Sequence, residues 1–186
     1  AVKDAAPAYS VTVLVPKSDT ETISMAKQVI KNAIQLKAKP LWKGKVPPIE
    51  RFHLFLTDGD DETIKGWREE YRDHYVIKAK SGTETRDGRQ LNPPLVLRRP
   101  KPMVIATKDD LNNGDYVSLA LRCDAYENGT NIGVTAYVNT VLLAGKGEPF
   151  PSGAAAAATD DLEDMDWSDD EDDYDMEDGE DPLANL

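Results

Sequence analysis

The chain has little of the residues that carry most metal, redox and nucleophilic chemistry. A single cysteine, Cys123, stands among 186 residues; one thiol excludes an internal disulfide and fits a reducing compartment. The two histidines, His53 and His74, leave no plausible zinc ligand set. No Ser/His/Asp or Cys/His arrangement is visible, so no catalytic residue is assigned, and neither a metal nor a cofactor is expected. No apolar run approaches the ~18 residues of a membrane-spanning helix, and no signal peptide or membrane partner is expected. Basic residues are missing altogether from the last 27 positions, Asp160 to Leu186.

That last absence divides the chain. The segment without lysine or arginine holds fifteen of the 34 acidic residues, which leaves 19 in residues 1–159 against all 22 basic ones, a net of +3 there although the whole chain carries -12. The charge pattern implies a mildly basic body that binds an anion and an arm that imitates one. The arm is too polar and too self-repelling to offset the entropy of ordering, so a disordered acidic tail is expected over 160–186. Pro151-Ser152-Gly153 and five alanines to Ala158 mark a flexible linker, 151–159. Residues 1–150 remain as one domain, long enough for a genuine core.

Periodicity divides that domain further. Tyr9 to Val15 alternates as a strand ended by Pro16. Ser18-Asp19-Thr20-Glu21 is a capping pattern, followed by Ile23, Ala26, Ile30, Ala33 and Ile34 on one face of a helix over about 19–38, closed by Pro40. A short strand is expected near Phe52 to Leu56, a weak helix over 61–72, a strand from Tyr75 to Lys80, and a short apolar run at Leu95 to Leu97. The strongest signal is a hairpin: Tyr116 to Tyr126, a turn at Asn128-Gly129-Thr130-Asn131, and a return from Ile132 to Ala144. Its first strand alternates Val117, Leu119, Leu121, Cys123 and Ala125 with Tyr116, Ser118, Ala120, Arg122, Asp124 and Tyr126. Strands with one principal helix predict a mainly β fold, a small antiparallel barrel or sandwich.

Cations and aromatics are interleaved in this body. Residues 3–45 hold eight lysines against three acids, and residues 78–108 hold eight basic residues against two acids. Cations neutralise phosphates and flat rings stack on unpaired bases, a combination indifferent to sequence. On this argument Lys43, Lys45, Lys78, Lys80, Arg98, Arg99 and Arg122 are phosphate candidates, and Trp42, Tyr75, Tyr116, Tyr126 and Tyr137 are stacking candidates. Trp42 is read as a loop residue among lysines and prolines, whereas Lys27 and Lys31 are read as a solvated helix face. Asp58, Asp60 and Asp61 do not have calcium-loop spacing; an alternative class that would use them is a metal-dependent nuclease. Gly44-Lys45 lacks the upstream glycine and following Ser/Thr of a phosphate loop. Cys123 falls on the apolar face of its strand and is expected buried and inert. In the tail, Trp167, Tyr174, Leu183 and Leu186 are sparse apolar anchors for a partner steered in by charge.

Trp42-Lys43-Gly44-Lys45-Val46-Pro47-Pro48, Asp58-Gly59-Asp60, and the run from Gly114-Asp115-Tyr116 through Gly133, Asn139 and Val141 to Gly147-Glu148-Pro149-Phe150 resemble a family of bacteriophage single-stranded DNA-binding proteins. The resemblance covers roughly residues 8–150. It implies an OB-fold-like barrel that holds single strands in a groove, a role in phage replication or recombination inside the infected host's cytoplasm, and no enzymatic activity. It also implies that the acidic tail competes with DNA for the groove and recruits replication proteins such as a polymerase or helicase. A stacking groove fits RNA as well. The rival reading is an acidic-tailed chaperone or DNA mimic that captures basic proteins.

Overall fold

A computed structural model of the chain describes residues 7–64, 66–85, 88–98, 104–105 and 110–150. Arg99, the linker 151–159 and the tail with Trp167, Tyr174, Leu183 and Leu186 lie outside the described residues.

Strand β1 (Ala8–Pro16) leads into helix α1 (Thr20–Trp42). Asp19 caps the helix, its Oδ1 accepting from the Thr22 amide at 3.1 Å, as side-chain oxygens do at exposed helix starts. Ile23, Ile30, Ala33 and Ile34 are buried along one face. The helix passes Pro40 and ends one turn later than its sequence suggests, at Trp42. The reason lies in the balance of two terms. A proline inside a helix costs about 3 kcal/mol, whereas burying an indole removes some 150–250 Å² from water, worth roughly 4–6 kcal/mol. Trp42 is 8% exposed and meets the Phe52 ring edge-on at 5.3 Å between centroids. Its assignment to a loop is therefore corrected: it belongs to the core. Lys43 then turns the chain with φ 51°, followed by Gly44 at φ 82°.

Two sheets form the barrel wall. In one, β4 (His74–Gly82) lies between β1 and β3 (Leu56–Asp58), both antiparallel to it. In the other, β8 (Asn131–Gly145) is the middle strand. Along one edge it pairs antiparallel with β7 (Tyr116–Asn128). Along the other it pairs parallel with β2 (Phe52–Leu54) and then with β5 (Leu95–Arg98), which is joined in turn by β6 (Val104–Ile105). Phe55 joins the sheets: its amide donates to the Val134 carbonyl at 3.2 Å, and its carbonyl accepts from the Lys78 amide at 2.9 Å. The chain from β2 to β3 is thus a single corner strand that leaves one sheet and enters the other. The fold is mainly β with one helix, as expected, and the two parallel pairings are the departure from a purely antiparallel design. Val15, Ile30, Ile34, Trp42, Phe52, Ile77, Ile132, Val134 and Val138 pack together inside.

The described residues of the segment expected as a helix over 61–72 form instead a run of turns with one short 3-10 turn, Glu69–Tyr71. Its acidic residues satisfy local backbone groups rather than a helical ladder, the usual competition from aspartate. Asp61 Oδ1 accepts from the Thr63 amide at 3.0 Å, and just ahead of the segment Asp58 Oδ1 accepts from the Asp60 amide at 3.1 Å.

Candidate nucleic-acid interface

The β7–β8 hairpin carries the clearest candidate surface. Along β7, Val117, Leu119, Leu121, Cys123 and Ala125 turn to the core. The alternate residues lie on the opposite face, exposed from Tyr116 to Arg122 and partly covered at Asp124, which pairs with Lys37 of the helix at 3.5 Å, and at Tyr126. Arg122 and Tyr137 are direct cross-strand partners, and the guanidinium lies 4.7 Å from the centre of the Tyr137 ring. Two turns of the pleat further on, Tyr126 is opposite Gly133. A Cβ at Gly133 would run into the Tyr126 ring and the His53 carbonyl, so glycine there is what lets Tyr126 lie down on the sheet. At the other end Tyr116 is 68% exposed. A Cβ on Gly147 would meet both the Gly114 carbonyl and the Tyr116 ring, so the closing Gly147-Glu148 pair fixes the start of β7. The row from Tyr116 to Tyr126 spans ten residues of strand, about 33 Å at roughly 3.3 Å per residue.

Beside the Arg122–Tyr137 pair opens a cleft of about 410 Å³. Its walls come from Ser81, Gly82, Glu84 and Thr85, from Leu91 to Pro94, and from Arg122, Tyr137, Val138 and Asn139. Ser81 Oγ donates to the Val138 carbonyl at 2.7 Å and ties the floor to β8. The pairing register slips here: Ala120 pairs with Thr140 but Leu121 with Val138. Asn139 is the extra residue of a bulge, and its side chain is exposed. The residues of this cleft on the 81–94 stretch were not legible as site residues, because no periodic pattern marks a loop wall.

The other candidates are distributed elsewhere. Lys43 and Lys45 are exposed just beyond the helix. Arg98 is exposed at the end of β5, opposite Leu143. Lys80 is half-buried on β4, and Lys78 is 8% exposed, so Lys78 offers almost no surface to a phosphate. Tyr75 is separated from both lysines by the pleat, because it shares a face with Ile77 and Ala79 that packs on the core. Its ring has lysines already in place, with Lys27 Nζ at 4.9 Å and Lys17 Nζ at 5.6 Å from its centre. Lys27 also approaches the phenol oxygen at 3.4 Å, so this helix lysine is more than a solvated side chain. Trp42, being in the core, is withdrawn as a stacking platform.

The aspartate cluster near β3 is filled from within. Lys17 Nζ lies 2.6 Å from both Asp58 and Asp60 carboxylates. These hydrogen bonds, Asp58 first, raise the Lys17 ammonium above its ordinary value, and the same lysine followed by the Asp73 amide holds Asp60 below the usual carboxylate range. The geometry is that of a braced turn. A second brace closes the hairpin base: Asp115, with its side chain 3% exposed, accepts from Lys146 Nζ at 2.8 Å and from the Asn112 amide at 2.9 Å. Lys146, then the Asn112 amide, lowers its pKa. Cys123 is half-buried, and burial, with the neighbouring Asp124 charge, pushes its thiol up to about 11, well away from the thiolate form that reacts. Among the described residues no helix is long and apolar enough to cross a membrane.

The solved structures that this fold resembles are those of phage single-stranded DNA-binding proteins. Residues 1–174 match the family described as Enterobacter phage Enc34, ssDNA-binding protein, and the chain belongs to that family, which is one of binding proteins and not of enzymes. The solved single-stranded DNA-binding protein from bacteriophage Enc34 is 26% identical, covering 79% of this chain and 74% of its own with a TM-score of 0.58. Its structure in complex with ssDNA is 25% identical over 81% of this chain and 78% of that one, with a TM-score of 0.59. Gp2.5, a single-stranded DNA-binding protein encoded by bacteriophage T7, is 13% identical over 81% and 82% of the two chains, with a TM-score of 0.54, a likeness of fold alone. No curated protein matches.

Proposed function

We propose that this chain is a sequence-nonspecific single-stranded DNA-binding protein of phage replication or recombination, working in the cytoplasm of the infected host. Residues 1–150 are the binding domain, 151–159 a linker and 160–186 an acidic arm. The observation that carries this reading is the outward row of Tyr116, Arg122 and Tyr126 with Tyr137 beside it, in a chain of this family. Arg122 supplies charge for a phosphate and the rings supply stacking surfaces, which together bind any unpaired strand. Arg98, Lys43, Lys45 and Lys80 extend the positive field.

The test is anisotropy of a labelled oligothymidine titrated with full-length protein, against duplex and RNA of equal length. The expected result is preference for the single strand over the duplex, with log K falling by about 0.7 per phosphate contacted for each decade of salt. Equal affinity for duplex, or an affinity indifferent to salt, would refute it. RNA bound as well as DNA would widen the ligand class to single strands in general.

The fifteen acidic residues of the tail act in the same proposal as a tethered competitor at an effective concentration on the order of millimolar. When DNA displaces the tail, Trp167, Tyr174, Leu183 and Leu186 become available to a replication protein such as a polymerase or helicase. A chain ended at Ala158 should bind single strands more tightly at low salt. Loss of binding in that chain would favour capture of basic proteins by the tail instead.

A further inference from the structure

We infer that the cleft beside Arg122 and Tyr137 is a seat for one unpaired nucleobase, and that Asn139 reads the edge of that base. The inference rests on the single-strand reading above and deepens it: most of the strand lies on the open hairpin face, and one base at a fixed position leaves it for the cleft.

Three observations converge on this. The first is the shape and chemistry of the cavity. About 410 Å³ is room for a single base with its surrounding water, and the walls mix Leu91, Pro93, Pro94 and Val138 with neutral polar groups and one charge of each sign, Glu84 and Arg122, a mixture that suits a flat organic ligand. The second is charge. Glu84 lines the same cleft, its Oε1 accepting from Gln90 at 2.7 Å. A phosphate pushed past Arg122, which lines the cleft too, would be repelled by that carboxylate, whereas a neutral base would not be. The backbone therefore stays outside and the base goes in. The Arg122–Tyr137 stack at the wall supplies a flat surface for it.

The third is the bulge. An extra residue in one strand breaks the ladder and re-aims a side chain, and bulges gather at sites for that reason. Here the extra residue is Asn139, exposed and on the cleft wall. Its amide offers one acceptor and two donors side by side, the pattern that pairs bidentately with a base edge, most familiarly that of adenine. Nothing in the hairpin's stacking role needs an amide at this position. A base-reading amide accounts for it.

The experiment measures full-length protein against 15-mers of dA, dC and dT, comparing wild type with Asn139→Ala and Asn139→Gln. Intrinsic differences in strand stacking affect all three proteins alike and cancel. The expected result is that the spread of affinities among the three oligomers narrows by at least about fivefold in Asn139→Ala, the worth of one or two hydrogen bonds, and recovers at least in part in Asn139→Gln. Oligothymidine should still be bound by every variant. If the spread is the same in wild type and Asn139→Ala, the base seat is wrong while single-strand binding stands. If the wild type binds no single strand at all, it is the underlying reading that fails. A thermal melt of each variant separates a folding defect, which would lower all three affinities together, from lost discrimination.

Discussion

Replacing Tyr137 by Ala removes the ring on which Arg122 rests, and its effect can be worked from the geometry. Stacking of one base on an aromatic side chain is worth ~1–3 kcal/mol, so affinity should fall by roughly 5- to 150-fold at constant salt. The slope of log K against log salt should not change, because no phosphate contact is lost. Arg122→Ala should do the reverse: the slope becomes shallower by about 0.7, the contribution of one phosphate on a single strand. Because the guanidinium sits 4.7 Å from the ring centre, the two changes should not add. The coupling expected is about 0.5–1 kcal/mol, the worth of an exposed cation–π contact. The assay is anisotropy of a labelled oligothymidine at four or five salt concentrations for wild type, both single variants and the double. Unchanged affinity in Tyr137→Ala, with the protein folded, would refute the placement of the strand on this face.

Trp42→Ala should destabilise the fold by about 3–5 kcal/mol, or very roughly 6–20 °C in Tm, while the folded fraction keeps its DNA affinity; a binding defect without a stability defect would return Trp42 to the surface. Gly133→Ala must displace the Tyr126 ring or the His53 carbonyl and should cost about 1–3 kcal/mol, read from a denaturant melt. Acid should unfold the protein through its braced carboxylates. Asp60, held down chiefly by Lys17, and Asp115, held down chiefly by Lys146, both have folded pKa values below their unfolded ones. Their contribution is therefore complete above the unfolded value near ~3.9 and is lost as pH falls through the lower folded values. Tm should be level from neutrality to about pH 5 and drop below about pH 4, and Asp60→Asn should flatten the drop.

The long-period patterns in the chain were the legible ones. Strand β1, the helix start and the hairpin with its alternating face follow from local rules that the tertiary fold reinforces, although the cap falls on Asp19, one residue past the Ser18 that opens the capping pattern. Trp42 was misleading because its surroundings in sequence, lysines and prolines, say nothing about Phe52, which supplies its contact from ten residues away. Tyr75 and Lys78 look like neighbours in a patch, yet an odd spacing of three places them on opposite faces of β4. The acidic run after Asp58 mimics a helix start, and Lys17, just past the end of β1, together with the Asp73 amide turns it into a braced turn. The parallel pairings of β2 and β5 with β8, and the bulge at Asn139 that they flank, depend on register between distant segments, which periodicity does not encode.

The measurement that tests the account most directly is photo-crosslinking of the full-length protein to oligothymidine carrying 5-iodo-deoxyuridine, with the joined residues located by mass spectrometry. Crosslinks at Tyr137, Tyr126 or Tyr116 are the predicted result. Crosslinks confined to Tyr75 or the helix, with the hairpin untouched, would contradict it.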